Sequence, residues 1–333
     1  YASSQFPSGL LADRYGERRI ILVAVGGTAV ASALLAVAPS YPIFLVGTVV
    51  LGGVAGLHFS VATSLLTRTL PNTGSAIGIH TAGAPLAGLL IPVAAGAVGT
   101  WLGWRWALVL GVLVALPTTL LFAAVVRPIP PVRPDESVWS RVRVRPLFEL
   151  LARPPIARTM GLCVAGAFVW QATASFLPAF LIEYHGYEAS VASALFSVYF
   201  VVQGLAQPGL GTLSDRVDRY PAAAIAVAIG VIGYVILVAA PELWMVSGAV
   251  VCTGVAMSWG AALLPTFMDH LGEDERSVGF GLIRSAYMIL GAAGSVVTGA
   301  TADLLGWGAA FIGLAVLLGG MLAVLLYAMG SPR

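Results

Sequence analysis

From Ile20 to Thr67 the chain contains no Asp, Glu or Arg. A helix crosses the hydrocarbon core of a bilayer with about 20 apolar residues. This run is therefore long enough for two crossings, broken at Pro39-Ser40-Tyr41-Pro42. Similar runs follow at 69–104, 106–126, 159–182, 189–214, 220–241, 243–268, 285–302 and 304–332. Residues 1–12 read as the last turns of a further span. The expectation is an all-α membrane protein with eleven helices present, the first truncated. The runs are too long and too rich in glycine and alanine for barrel strands, and they lack period-two alternation. In lipid a helix satisfies its own backbone, which makes it the default.

Charge placement orients the spans. Only 10% of residues are charged, against about 25% in an ordinary soluble domain. All 17 basic residues are arginine. Alternate loops hold Arg14, Arg18 and Arg19, then Arg68, Arg127 through Arg158, Arg216 and Arg219, and Arg276. The intervening loops hold Arg105 alone. The positive-inside rule puts the first set on the cytoplasmic side of the cell membrane. The linker at 127–156 opens RPIPPVRPDES and runs through Arg141, Arg143 and Arg145 into LFELL. Its prolines stiffen it. The LFELL end reads either as a short helix on the inner leaflet or as plain solvated linker.

Two polar turns repeat across this apolar chain: GLLADRYGERR at 9–19 and GTLSDRVDR at 211–219, with Asp13-Arg14 matching Asp215-Arg216. VGTVVLGGV, with Gly47, Gly53 and Val54, matches VSGAVVCTGV, with Gly248, Gly254 and Val255. Gly78, Gly103 and Trp104 match Gly281, Gly306 and Trp307. These offsets, 201 to 203 positions, make the chain two copies of one multi-helix unit. Such repeats are characteristic of secondary transporters. The expected division is 1–126, a linker at 127–156, and 157–333. By the repeat, the first unit starts about 45 residues before Tyr1, which gives a parent of twelve spans.

GLLADRYGERR resembles the signature turn of the major facilitator superfamily, carried here by Gly9, Asp13, Arg14, Gly16, Arg18 and Arg19. Gly211, Asp215 and Arg216 resemble its degenerate twin, and GWRW at 103–106 is similar to the family's opening of span six. Two departures stand out: Glu17 replaces a basic residue, and Asp218 replaces the twin's glycine. The resemblance implies two pseudo-symmetric six-helix bundles. It also implies a conformational latch in which Asp13 meets the start of span eleven near Arg276-Ser277. A latch of about 1–3 kcal/mol shifts a two-state balance without freezing it. Arg14, Arg18 and Arg19 would bind lipid phosphate or carboxylates such as Glu273, Asp274 and Glu275. The alternative is that these charges only fix topology.

The resemblance also implies that spans one, four, seven and ten line the solute path. His58 lies in span four, Trp170 and Gln171 in span seven, and Trp259 in span ten. His58 and Trp259 are repeat equivalents. Gln203 and Gln207 sit one turn apart in span eight, where interhelical hydrogen bonding explains them as well. His80 lies in span five. Arg284 in span eleven would snorkel, join the latch or attract an anionic solute, with Asp269 as a possible partner. Each polar group inside a membrane is a candidate for function.

Cys163 and Cys252 have no CxxC spacing or histidine cluster, so neither a disulfide nor a metal site is expected. Nucleic-acid features, a GxxxxGK[ST] loop and a nucleophile–base pair are absent from the sequence. The expected function is secondary active transport of a small organic solute by alternating access, coupled to protons. It would be carried out by a monomer in the lipid bilayer without a cofactor, and not by an enzyme. Two alternatives remain: efflux of hydrophobic drugs within the same family, and a non-transporting receptor on the same fold. Arg284 favours an anionic solute, whereas the glycine-rich GAPLAG stretch with Pro85 favours efflux.

Overall fold

The computed structural model describes residues 1–136, 144–273 and 275–330. Arg141, Arg143 and Asp274 lie outside them. The described residues are helical, with no strand among them. After a single 3-10 turn come α1 (Gln5–Tyr15), α2 (Glu17–Ala36), α3 (Tyr41–Ala55), α4 (His58–Thr69), α5 (Thr73–Leu102), α6 (Trp104–Val125) and α7 (Val144–Leu151). There follow α8 (Pro154–Glu183), α9 (Ala189–Val217), α10 (Arg219–Ala239), α11 (Leu243–Ala256) and α12 (Trp259–His270). The last are α13 (Arg276–Gly291), α14 (Ala293–Leu305) and α15 (Trp307–Gly330). Read as continuous spans, α3–α4, α11–α12 and α13–α14 join the others to give, among the described residues, ten helical segments long and apolar enough to cross a membrane.

The repeat is written into the backbone as well as the sequence. Gly16 and Asp218 both adopt positive φ, 88° and 95°, and so do Gly103 and Gly306, at 95° and 86°. The breaks after Ala55 and Ala256 also fall at equivalent positions. At Gly16 the conformation separates α1 from α2 without steric cost. Asp218 holds the same corner with a Cβ, at φ 95° and ψ 160°, a region almost reserved for glycine that costs about 1–3 kcal/mol. Its carboxylate returns part of this by accepting the Arg219 amide at 2.7 Å. Asp218→Gly is therefore expected to raise the thermal midpoint of the purified protein. A lower midpoint would show that the cap outweighs the strain.

The helices form two compact units. The first comprises Tyr1–Thr69, Leu90–Arg153 and Leu271–Ala286. Within it α2 packs along α6 and α3, and a core of Ala12, Ile20, Ile21, Val61, Ala62 and Leu65 closes over the start of the linker at Val126 and Ile129. The second comprises Leu70–Leu89, Pro154–His270 and Tyr287–Arg333. There α10 packs along α15 and α11. Phe180 stacks on Phe311 at 3.9 Å between ring centroids, and Thr173 and Tyr234 share a buried hydrogen bond. The segment Leu271–Ala286, from the second repeat, thus packs with the first unit. Leu70–Leu89, from the first repeat, packs with the second.

The outer faces of α3 and α6 carry exposed Val46, Val49, Leu120 and Leu121. Such rows of bare aliphatic side chains suit lipid rather than water. Prolines at 85, 117, 178, 208 and 265, among others, lie inside helices, a common tolerance in membrane helices, whose neighbours re-satisfy freed backbone groups. The linker's LFELL stretch forms α7. Leu150 on it is buried and Phe148 exposed.

Candidate functional site

Each unit contains a crossing, at equivalent positions of the repeat, at which two helices meet backbone to backbone. In the first, α1 lies against the opening turns of α13. A methyl group added at Gly9 would overlap the Ser277 carbonyl, and one at Gly281 would overlap the Gln5 carbonyl. Polar contacts stitch the seam. The Ser285 hydroxyl donates to Ala2 O at 2.8 Å and accepts from the Phe6 amide at 3.1 Å. Ser64 and Ser277 share a hydrogen bond at 3.1 Å, and Ser60 donates to Gln5 Oε1 at 2.5 Å.

In the second unit, α9 crosses the opening turns of α5 in the same manner. Gly211 meets the Gly74 carbonyl, and a Cβ on Gly78 would stand 2.6 Å from Gln207 O. The four glycines form two equivalent pairs, Gly9 with Gly281 and Gly211 with Gly78. Small residues at such positions let helices approach until packing and weak polar contacts hold them.

Asp215 caps the second crossing. Its oxygens accept the amides of Gly74 at 2.9 Å and Ser75 at 2.8 Å, in the first turn of α5. These amides have no intrahelical acceptor, and the helix dipole favours a negative charge beside them. Arg219 grips the same carboxylate at 2.6 Å and reaches Asp269 at 3.2 Å. It also donates to Ser214 at 3.0 Å and Thr73 at 2.8 Å. Asp215 makes with α5 a contact of the kind expected of Asp13 with span eleven. Asp13 itself is buried at 2% exposure, and its backbone carbonyl accepts the Arg133 amide of the linker at 2.8 Å.

Beside Asp13 the charges of the repeat are inverted. Glu17, equivalent to Arg219, pairs with Arg68 at 2.6 Å, and Arg68 is equivalent to Asp269. The ion pair keeps its place and exchanges its signs. Glu17 is 2% exposed and Arg68 28%, so water screens this pair less than a surface one.

Several expected partners are different in the structure. Arg18 donates to the carbonyls of Val126 and Ala123, both at 2.6 Å, because α6 ends there with unpaired acceptors. Glu275 pairs with Arg153, at 2.7 and 2.8 Å through both oxygens, rather than with the signature arginines. That guanidinium holds the Glu275 carboxyl below the usual carboxylate range. Asp269 pairs with Arg219 and not with Arg284. Arg14 lies over the Tyr15 ring at 5.4 Å, Gly16 is the corner already described, and Arg216 is exposed.

Several of the expected solute-path residues are engaged between helices. Trp170 donates to Gln203 at 3.4 Å, and Gln203 donates to Met257 O at 3.2 Å. Gln207 donates to Thr81 O at 3.3 Å, the interhelical role left open by the sequence. Trp259 is buried, its indole lying against Gly166 and 6.4 Å from the Tyr287 ring. His58, His80 and Gln171 are half-buried. Arg284 is 9% exposed and sits 3.4 Å from the Phe59 ring centroid. Snorkelling to headgroups does not describe this arginine, which is enclosed in the first unit as a cation over an aromatic face.

Gln5, Ser64 and Ser285 were not singled out by the sequence, nor was the Glu17–Arg68 pair. Gly78 and Gly281 carried a signal in their shared offset, and the inverted charges carried one in theirs.

A doubled unit of apolar helices, with glycine crossings and charged corners, defines a polytopic helical membrane protein of internally repeated design. A family model described as Major Facilitator Superfamily matches residues 1–197 and 163–333, and the chain belongs to that family. It is 35% identical over 130 residues to the class G tetracycline resistance protein of Vibrio anguillarum, covering 38% of this chain and 32% of that protein. It is 28% identical over 236 residues to "Probable sulfoacetate transporter SauU" of Cupriavidus necator, covering 66% and 54%. The matched stretch therefore spans a third to about half the length of these two relatives. Among solved structures, the human organic anion transporter MFSD10 (TETRAN) superposes with TM-score 0.80 at 18% identity, covering 97% of this chain and 81% of that one. The E. coli fucose:proton symporter FucP gives 0.81 at 16%, covering 99% and 88%. At such identities these structures share the fold. Family and fold are those of a transporter, and no catalytic activity is indicated.

Proposed function

We propose that this protein is a secondary active transporter that moves a small organic solute by alternating access, with protons as the coupling ion. The observation that carries the reading is the pair of equivalent glycine crossings, at which segments of one repeat pack against the other. Each is held by contacts that can be broken and remade. The Asp215 cap gains from two amides and a helix dipole, of the order that biases a two-state balance without locking it. The division into bundles 1–126 and 157–333, joined by 127–156, belongs to the same reading. So do a cell-membrane location, charged corners facing the cytoplasm, and a monomeric state.

A second reading, efflux of hydrophobic drugs, is favoured by the tetracycline resistance relatives. The enclosed Arg284 favours an anionic solute instead. In proteoliposomes holding a pH-sensitive dye, addition of a candidate solute should move protons. Asp13→Asn and Asp215→Asn should each lower the initial rate about 5-fold or more at equal protein incorporation. Unchanged rates in both variants would remove the latch. Solute binding with no solute or proton flux would favour a receptor.

A further inference from the structure

The two glycine crossings carry a glutamine at the same place in each repeat, and the two glutamines are bonded differently. Gln5 and Gln207 stand 202 positions apart, the offset that pairs Gly9 with Gly211. In both crossings the glutamine's backbone carbonyl meets the facing glycine, Gly281 for Gln5 and Gly78 for Gln207. Both side chains are buried, Gln5 at 0% exposure and Gln207 at 5%. Gln207 donates from Nε2 to Thr81 O at 3.3 Å. Gln5 accepts from the Ser60 hydroxyl through Oε1 at 2.5 Å, and its Nε2 has no hydrogen-bond partner.

A serine accounts for the difference. The Ser60 hydroxyl draws the carboxamide oxygen of Gln5 toward α4, which turns the NH2 end away from that helix. The offset of 201 that pairs His58 with Trp259 places Ala261 at the equivalent of Ser60, and alanine has no hydroxyl to offer. Gln207 is not drawn in that direction, and its NH2 reaches a carbonyl of α5 instead. The matching acceptor in the first unit would be the carbonyl of Arg284, 203 positions after Thr81, and Gln5 does not bond it. A buried amide donor without an acceptor bears the full cost of its lost hydration. Water removes that cost once the helices part.

We propose that Gln5 is a positioning residue of the transport cycle that biases the crossing of α1 with α13 toward opening, whereas its twin Gln207 helps to hold the crossing of α9 with α5 closed. This rests on the reading that the crossings part during transport. Ser285, bonded to Ala2 O and the Phe6 amide, and the Ser64–Ser277 pair hold the first crossing shut. The unmatched donor of Gln5 keeps that closure shallow enough to be reversed. The same residue type thus acts with opposite sign in the two repeats, because one amide has its acceptor and the other does not.

The test compares the two positions in the purified full chain by thermal midpoint and by maleimide labelling of a cysteine placed at Ser277. The chain without that cysteine corrects for Cys163 and Cys252. Methionine keeps the length of glutamine without its polar end. Gln5→Met combined with Ser60→Ala removes both partners of the Oε1 bond and leaves no new unpaired group. This double variant should raise the midpoint by about 2–4 °C, slow labelling about tenfold and lower the initial transport rate. Gln5→Met alone should shift the same readings in the same direction, to a smaller degree. Gln207→Met strips a bond that is made, so it should lower the midpoint. The proposal is overturned if the double variant melts lower, fails to fold or labels faster, or if the two glutamine positions respond with the same sign. A raised midpoint and slowed labelling with an unchanged transport rate would support the bias at Gln5 and remove the opening of this crossing from the transport cycle.

Discussion

Valine at Gly9 or at Gly211 is expected to reduce transport by one to two orders of magnitude while the protein still inserts and folds. The added side chain would meet backbone at both sites, the Ser277 carbonyl in one and the Gly74 carbonyl in the other. Backbone cannot rotate away as a side-chain tip can, so the helices must separate. Overpacking of this kind costs about 1–3 kcal/mol, and a bias of that size changes a two-state population roughly 5- to 150-fold. The conformation with both crossings closed would be depleted, and a carrier that must visit it would stall. Gly209 supplies the control. It lies on the same helix two residues before Gly211, with nothing within 4 Å of an added Cβ. Gly209→Ala should leave transport intact and, by helix propensity, stabilise the protein slightly. Initial rates and cysteine accessibility near Ser277 separate the outcomes. Equal transport by Gly9→Val and Gly209→Ala would show that the close approach is packing without a mechanical role.

Glu17→Arg should lower the thermal midpoint and impair transport, and Arg68→Glu in the same chain should restore most of both. Arginine at position 17 would face Arg68, placing two cations where one partner is 2% exposed. Loss of a buried pair costs about 3–5 kcal/mol when both groups are enclosed. The exposure of Arg68 brings the expected effect nearer 2 kcal/mol, since water screens it in part. The double substitution gives the first repeat the polarity that Arg219 and Asp269 already have in the second. A thermal-melt double-mutant cycle measures the coupling. Additive losses would mean that the sign inversion has no compensating partner and that the corner tolerates either charge only through its surroundings.

Much of this architecture was legible before any coordinates. Charge-free runs announce membrane helices because a bilayer forbids unpaired backbone and penalises charge, so length and composition alone decide. The matching positions of Asp13 and Asp215, and of Gly103 and Gly306, disclosed the doubled unit. The positive φ shared by Gly16 and Asp218 follows from that equivalence, although the second position lacks a glycine. The corner charges were legible as residues but not as pairs. Arg68 was counted as a topology signal and Glu17 as a departure, and nothing local joins them across 51 positions. Gln203 and Gln207 read equally well as solute ligands or as interhelical donors, because an amide side chain serves either role.

The sequence by itself determined what each segment had to be. Its apolar runs had to be helices in lipid, and its repeat had to generate two like units. Those consequences depend on chain-local free energies of burial and backbone pairing. Only the tertiary structure decided which glycine meets which carbonyl, that Asp215 caps α5, that Arg153 rather than Arg18 holds Glu275, and that Arg284 is enclosed over Phe59. Such pairings depend on the distances between segments far apart in the chain, and a distance arises only when the helices pack.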